Sequence, residues 1–360
     1  RLDRFRGVKP TQRIKVLLKV TDLKWRIDLA EDGRTHVIRT ENIEDNAYWY
    51  VGIDTHTNTL CLISVPVIMR RPVPRAVALP PPVDTTGAVQ RNDTRITPEQ
   101  VTDLTWYFKY ASSAYTPFNA CANPNGQTRI TGLYDIFTDT QGYIARDDSR
   151  KEIIVAFRGS TSPIDFINDV NFILTPFTSS GVSAPGDVRV HSGFLNSWNS
   201  VAPTVLDTLK QQLVGQNDYT IVTVGHSLGG AVASIAAMAI KANFANVNVR
   251  MYTYGQPRTG NPAYANWVNS LFGTGRAYRV THTTDPVPHL PFPIMGYAHH
   301  GTEYWISTDP ANSVNIVSCD PSGEDNTCSN SNTILLPVAL IVLPAHFFYM
   351  DIFALTPYCG

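Results

Sequence analysis

The six residues Gly225-His226-Ser227-Leu228-Gly229-Gly230 are the part of this sequence best suited to chemistry. They follow the β-rich run Tyr219 to Val224 and open a helical stretch of small residues, about Leu228 to Asn243. A G-x-S-x-G turn between a strand and a helix holds its serine on a strained backbone, with the hydroxyl lifted above the strand ends. Glycine is needed at 225 and 229 because a side chain at either would strike neighbouring chain. The helix that begins behind Ser227 points N–H groups and a positive dipole end at any charge developing on a substrate oxygen. A serine hydroxyl alone is a weak nucleophile, so a base must take its proton and an acid must steady that base. His226 is adjacent, but side chains on so sharp a turn diverge, and it is expected to pack against the sheet.

On an elbow of this kind the chain order is Ser, then acid, then His. Asp285 comes just after the strand-like Tyr278-Arg279-Val280-Thr281-His282, and Pro286 and Pro288 force the chain out of the sheet behind it. Four histidines follow: His289, His299, His300 and His346. His289 lies four residues on, in a proline-rich exit, and is badly placed to bridge Asp285 and Ser227. His299 and His300 precede the strand-like Glu303-Tyr304-Trp305-Ile306, where a core role suits one of them. His346, between Leu343-Pro344-Ala345 and Phe347-Phe348-Tyr349, is the favoured base. Ser227, Asp285 and His346 are therefore the expected catalytic residues.

The elements that must position them read as alternating strands and helices. Thr97-Pro98-Glu99-Gln100 has the form of a capping box with proline at the first helical position, and Val101, Leu104, Phe108 and Ala111 recur at helical spacing. Strands are expected at Tyr134 to Phe137, Tyr143 to Arg146 and Glu152 to Phe157, with a turn at Asp147-Asp148-Ser149. Beyond them come a helix over about Leu195 to Leu213, a strand over Val247 to Tyr254 and a helix over Tyr264 to Phe272. The alternation predicts an α/β domain with a mostly parallel central sheet, helices on both faces and an antiparallel edge.

With 360 residues, 43% of them hydrophobic, the chain can bury a full core. A net charge of -1 gives no field of one sign, which argues against a nucleic-acid partner or an anionic membrane. The most apolar stretch, Ile334 to Met350, is short and interrupted by Pro337, Pro344 and His346, so no transmembrane segment is expected. The five cysteines include no C-x2-C pair, and no metal or cofactor is expected. Cys319 and Cys328 flank a polar loop and suit a local disulfide; Cys121 and Cys359 could close most of the downstream chain; Cys61 is left over. Five reduced thiols are the competing reading.

Residues 1–95 differ from the rest. They carry 16 Lys/Arg against 11 Asp/Glu, whereas residues 96–360 carry 13 against 19. Pro72, Pro74 and Pro80-Pro81-Pro82 favour extended chain. The expected organisation is an N-terminal extension or pro-segment over 1–95 and a catalytic domain over 96–360. Within the first segment, Tyr48 to Val51 and Leu60 to Val65 suit a small hairpin.

Several motifs, in order, resemble the fungal class 3 lipase family, the filamentous-fungal triacylglycerol lipases and their feruloyl esterase relatives. They are Val155-Ala156-Phe157-Arg158-Gly159-Ser160, Val190-His191-Ser192-Gly193-Phe194, Val224 to Gly230 and Tyr254-Gly255-Gln256-Pro257-Arg258. Thr284 to Pro291, Glu303 to Ile306 and Ala345 to Tyr349 continue the series. The resemblance covers about residues 96–360. It implies the α/β-hydrolase fold, the triad Ser227, Asp285 and His346, and an oxyanion hole from Ser160 and the N–H of Leu228. It also implies the disulfides Cys319–Cys328 and Cys121–Cys359, secretion, and a monomer that meets lipid or ester substrate at an oil–water interface. A helical lid is implied at about Thr161 to Asn171, with Ile164, Phe166, Ile167 and Val170 on its apolar side.

The chain departs from the family in two places. Residues 1–95 match no mature family segment, and Phe166 stands where family lids often carry Trp. Leu174-Thr175-Pro176-Phe177 is similar to the feruloyl esterase branch, but that branch has Tyr where this chain has Phe172. Phe172, Phe292 and Ile294 are expected to line the acyl groove. A triacylglycerol lipase is the favoured reading; a feruloyl or other soluble carboxylesterase, and a catalytically silent hydrolase-like binding protein, are the alternatives.

Overall fold

In the computed structural model the described residues are 94–117, 120–160, 172–332 and 343–360, together with the backbone of five strands between residues 19 and 63. The chain divides into two units, Arg1–Ala88 and Val89–Gly360. The larger begins a few residues before the 95/96 boundary read from composition.

In the first unit, β1 (Lys19–Val20), β2 (Leu23–Leu29), β3 (Thr35–Thr40), β4 (Tyr48–Asp54) and β5 (Thr59–Ile63) form an antiparallel meander in that order. The hairpin read from the sequence is β4–β5, with Tyr50 opposite Ile63 and Ile53 opposite Leu60.

The second unit is built on a nine-stranded sheet. Its strands are β6 (Thr94–Arg95), β7 (Thr128–Asp135), β8 (Thr140–Asp147), β9 (Glu152–Phe157), β12 (Thr220–His226), β13 (Asn248–Tyr254), β14 (Ala277–His282), β15 (Glu303–Ile306) and β16 (Ile316–Ser318). Two further strands, β10 (Leu174–Pro176) and β11 (Arg189–His191), pair with each other outside it. The order across the sheet is β6-β16-β15-β14-β13-β12-β9-β8-β7. Its centre, β9 through β15, is parallel, and both edges are antiparallel.

Among the described residues, four helices cover the two faces. On one lies α1 (Pro98–Ser113), which begins with the complete Thr97–Gln100 capping box. Leu104, Tyr107, Phe108 and Ala111 on its inner side pack against Ala156, Val222, Val224 and Tyr254 of the strands. On the other lie α2 (Ser192–Gln212), α3 (Leu228–Asn243) and α4 (Pro262–Phe272), which bury Trp198, Val205, Ala236 and Val268 against Ile153, Val155 and Ile221. Strand residues on opposite faces of the pleat thus feed two separate cores. This is the α/β-hydrolase arrangement expected from the sequence.

One strand reading needs correction. Tyr134 to Phe137 was expected to be a strand, but β7 starts earlier, at Thr128, and ends at Asp135. The Asp135 carboxylate accepts from the N–H groups of Phe137 and Thr138 and from the Thr138 hydroxyl. That local turn takes the backbone out of the ladder, and Phe137 is left 94% exposed. The Ile334 to Met350 stretch lies partly outside the described residues. Its described end forms a 3-10 turn (Leu343–Phe347) with Leu343 and His346 buried, followed by the short hairpin β17 (Phe348–Tyr349) and β18 (Ile352–Phe353).

Candidate active site

The register of four neighbouring parallel strands sets the frame. Phe157 lies opposite Gly225, His226 opposite Tyr254, and Tyr254 opposite Val280. The segments that leave these strand ends carry Ser160, Ser227, Gly255 and Asp285, so all four emerge along one end of the sheet. Open α/β sheets offer their ligand crevice at this end.

Ser227 links β12 to α3 with φ 60° and ψ −133°, a conformation that costs roughly 1–3 kcal/mol for a residue with a side chain. The surrounding glycines allow the strain. A Cβ on Gly225 would lie 2.1 Å from the Gly229 carbonyl oxygen, and one on Gly229 would lie 2.3 Å from that of Phe157. These are the collisions the motif implied. Gly159 is equally constrained: its Cβ would meet the Ser227 Cβ at 2.8 Å. The backbone leading into Ser160 therefore runs against the serine. Leu228 begins α3, where the first N–H groups have no acceptor within the helix.

Asp285 and His346 meet beside this turn. His346 Nδ1 lies 2.8 Å from Asp285 Oδ2, and both residues are buried. A carboxylate only accepts, so Nδ1 carries the hydrogen and Nε2 is left with the lone pair of a base. Asp285 Oδ2 also accepts from the Tyr349 hydroxyl at 2.5 Å, and Oδ1 accepts from the Val287 N–H at 2.9 Å. Burial pushes the Asp285 pKa up, but the His346 charge and hydrogen bond, with those two donors, outweigh it and hold it below the ordinary carboxylate value. The Ser227 hydroxyl and His346 Nε2 are both buried without a hydrogen-bond partner. In a buried site such atoms call for an explanation.

The remaining histidines sort by their contacts. His299 and His300 are both core residues, bonded to the carbonyls of Pro288 and Gly301. The nearby His289 peptide carbonyl and that of Pro291 accept from Arg258, which anchors the chain beyond Asp285. His226 is buried as expected from the turn, but it does more than pack. Its Nε2 lies 2.7 Å from the His346 carbonyl and its Nδ1 lies 2.7 Å from the Tyr115 hydroxyl.

Other expected site residues are placed as follows. Phe172 is half-buried with its ring 6.3 Å from that of His191. Phe292 is half-buried, whereas Ile294, in the 3-10 turn Pro293–Met295, is 95% exposed. The lid residues Ile164, Phe166, Ile167 and Val170 lie outside the described residues. Both expected disulfides are formed, Cys121–Cys359 and Cys319–Cys328. Tyr115, Tyr349, Gly255 and His282 were not singled out for the site by sequence reasoning. Tyr349 had one available signal: it stands three residues after the histidine chosen as base.

The chain matches the family model Lipase (class 3) over residues 154–295. It is 34% identical over 260 residues to a secreted alkaline triacylglycerol lipase of Penicillium cyclopium, a match covering 72% of this chain and 86% of that protein. A secreted mono- and diacylglycerol lipase of Fusarium solani is 33% identical over 68% of this chain and 75% of its own. Among solved structures, a triacylglycerol lipase from Penicillium expansum aligns with a TM-score of 0.66 and 32% identity, over 73% of this chain and 98% of that one. The Rhizomucor miehei lipase propeptide complex aligns with a TM-score of 0.63 and 31% identity, over 74% and 84%.

Proposed function

From the premise that the chain belongs to the class 3 lipase family, we propose that it is a secreted triacylglycerol lipase working through Ser227, His346 and Asp285. One observation carries the assignment of residues. The Ser227 hydroxyl and His346 Nε2 are buried without partners, in front of an Asp285–His346 hydrogen bond of 2.8 Å.

In the proposed reaction, the Ser227 oxygen attacks the ester carbonyl carbon while His346 Nε2 takes its proton. Negative charge moves to the carbonyl oxygen, where the N–H groups of Ser160 and Leu228 and the Ser160 hydroxyl receive it. One such donor is typically worth about 3–4 kcal/mol of transition-state stabilisation. Asp285 holds the ring by Nδ1–H and stabilises the imidazolium. The tetrahedral intermediate then collapses: the C–O bond to the alcohol breaks, and the proton on His346 goes to the departing oxygen. Water, deprotonated by His346, releases the acid from Ser227 by the same steps.

The relatives' names support secretion, and two disulfides suit an oxidising compartment. No helix among the described residues is long and apolar enough to cross a membrane. The proposal includes a monomeric enzyme that meets its substrate at an oil–water interface, an apolar lid face at Ile164, Phe166, Ile167 and Val170, acyl contacts at Phe172 and Phe292, and an N-terminal extension or pro-segment that ends ahead of the Thr94–Arg95 strand of the catalytic sheet.

A substrate series tests the function: tributyrin, trioctanoin, triolein and methyl ferulate. Hydrolysis of the triglycerides, with a rate jump where tributyrin passes its solubility limit, is the expected result. Preference for methyl ferulate would place the chain with the soluble esterases instead, and no burst of p-nitrophenol from a chromogenic ester would mark a silent binding protein.

A further inference from the structure

The peptide that carries His346 sits in a five-residue 3-10 turn, too short to satisfy its own carbonyls. Three consecutive carbonyls of this segment nevertheless have donors. That of Ala345 faces His282 Nδ1 at 2.8 Å, that of His346 faces His226 Nε2 at 2.7 Å, and that of Phe347 accepts from the Ala354 N–H at 2.7 Å. The first two donors are buried imidazoles, each the last residue of its strand, β14 and β12.

We propose that His226 and His282 are positioning residues for ester hydrolysis: each donates one ring N–H to one of two successive peptide carbonyls, and together they fix the backbone from which the His346 ring meets Asp285 and is presented to Ser227. The inference rests on the triad assignment above.

Hydrogen-bond bookkeeping defines which nitrogen does the work. A carbonyl only accepts, so Nε2 of His226 and Nδ1 of His282 must carry hydrogen. On His226 that leaves Nδ1 to accept from the Tyr115 hydroxyl at 2.7 Å, which locks the tautomer. Tyr115 also sits against the chain leading to Ser160, since a Cβ on Gly159 would lie 2.1 Å from its hydroxyl. The His226 ring is 4.5 Å, centroid to centroid, from the His346 ring. A cation there would oppose the imidazolium that forms on His346 during turnover. Burial, with the His346 charge next, pulls the His226 pKa down to about 3, so the ring stays neutral. On His282 the second neighbour is also an acceptor, Asp309 Oδ1 at 2.9 Å from Nε2, so both ring nitrogens face acceptors and the ring plane is fixed from two sides.

The two rings use opposite nitrogens, and this makes the inference testable by isosteres. The amide nitrogen of Gln takes roughly the place of a histidine Nε2, and that of Asn the place of Nδ1. His226→Gln is therefore expected to keep more kcat than His226→Asn, whereas His282→Asn is expected to keep more than His282→Gln. The unfavourable member of each pair should lose about 10²-fold in kcat, the cost of a small misplacement of a reacting group, with little change in KM. A role in packing alone would favour the larger Gln at both positions. That result, or wild-type kcat in all four variants, overturns the proposal. Each comparison is between two variants at one site, so it holds even where substitution lowers the melting temperature. Ser227→Ala and His346→Ala are measured alongside. Substantial activity in either would bring down the triad assignment, and the clamp with it; inactivity in both, with isostere order following size, would bring down the clamp alone.

Discussion

Asp285 and His346 are 61 residues apart in the chain, yet their side chains meet at 2.8 Å in the interior. Asp285 is delivered by the exit from a central parallel strand, whereas His346 arrives on the C-terminal segment. That segment is tied back by Cys121–Cys359 and by the Asn125 N–H to Tyr358 carbonyl bond. Two independent routes thus converge on one hydrogen bond.

Replacing Ser227 tests the proposed chemistry directly. Ser227→Ala is expected to lower kcat by about 10⁶-fold, the scale seen when a triad serine is lost. Its melting temperature should not fall, because the hydroxyl has no hydrogen-bond partner to lose. Retention of a tenth of the wild-type turnover would reject Ser227.

Tyr349→Phe removes a donor from the Asp285 carboxylate without changing the size of the ring. Hydrogen bonds to buried charge are worth about 1.5–3 kcal/mol. Asp285 has a lowered native pKa, so its contribution to stability is present above the ordinary value of 3.8 and is lost as pH falls through the native one. Loss of the Tyr349 hydroxyl raises that native pKa. Acid unfolding and the acidic limb of kcat should both move to higher pH, as read by thermal melts and rate–pH profiles. Superimposable profiles would show that the bond does not tune Asp285.

Gly255 and Gly273 separate strain from contact. Both have positive φ, 58° and 56°, so alanine is strained at either. A Cβ on Gly255 would lie 3.0 Å from Asp285 Oδ2 and from His346 Nδ1, whereas one on Gly273 meets nothing within 4 Å. Gly255→Ala is expected to lower kcat by about 10²-fold; Gly273→Ala should change stability only. Equal effects on kcat would refute the contact argument.

The two disulfides should differ in their effect on stability. Their sequence separations are 238 and 9 residues. On the chain-entropy account, opening the long loop with Cys121→Ser and Cys359→Ser costs roughly 3 kcal/mol more than opening the short one with Cys319→Ser and Cys328→Ser. Calorimetric melts of the two double variants measure the difference, and the short-loop variant melting lower would contradict it.

The elbow was legible because its determinants are local: the fit of Gly225, Ser227 and Gly229 depends on collisions within a few residues of one turn and on the strand beside it. The capping box at Thr97 and the alternation of strand and helix were legible for the same reason. Strand ends were harder. Ile136 and Phe137 look β-forming, but one Asp135 carboxylate captured two backbone N–H groups and turned the chain away.

By itself, then, the sequence determined the tight turn at Ser227, the chain order of Ser227, Asp285 and His346 and the layered sheet beneath them, since short-range sterics and hydrophobic periodicity encode each of these. Only the tertiary structure decided what surrounds His346. Tyr115, His226, His282 and Tyr349 come together there through strand order, register and a disulfide-tied C-terminal segment. No spacing along the chain records such meetings, because contacts between distant residues are selected by the packing of the whole sheet.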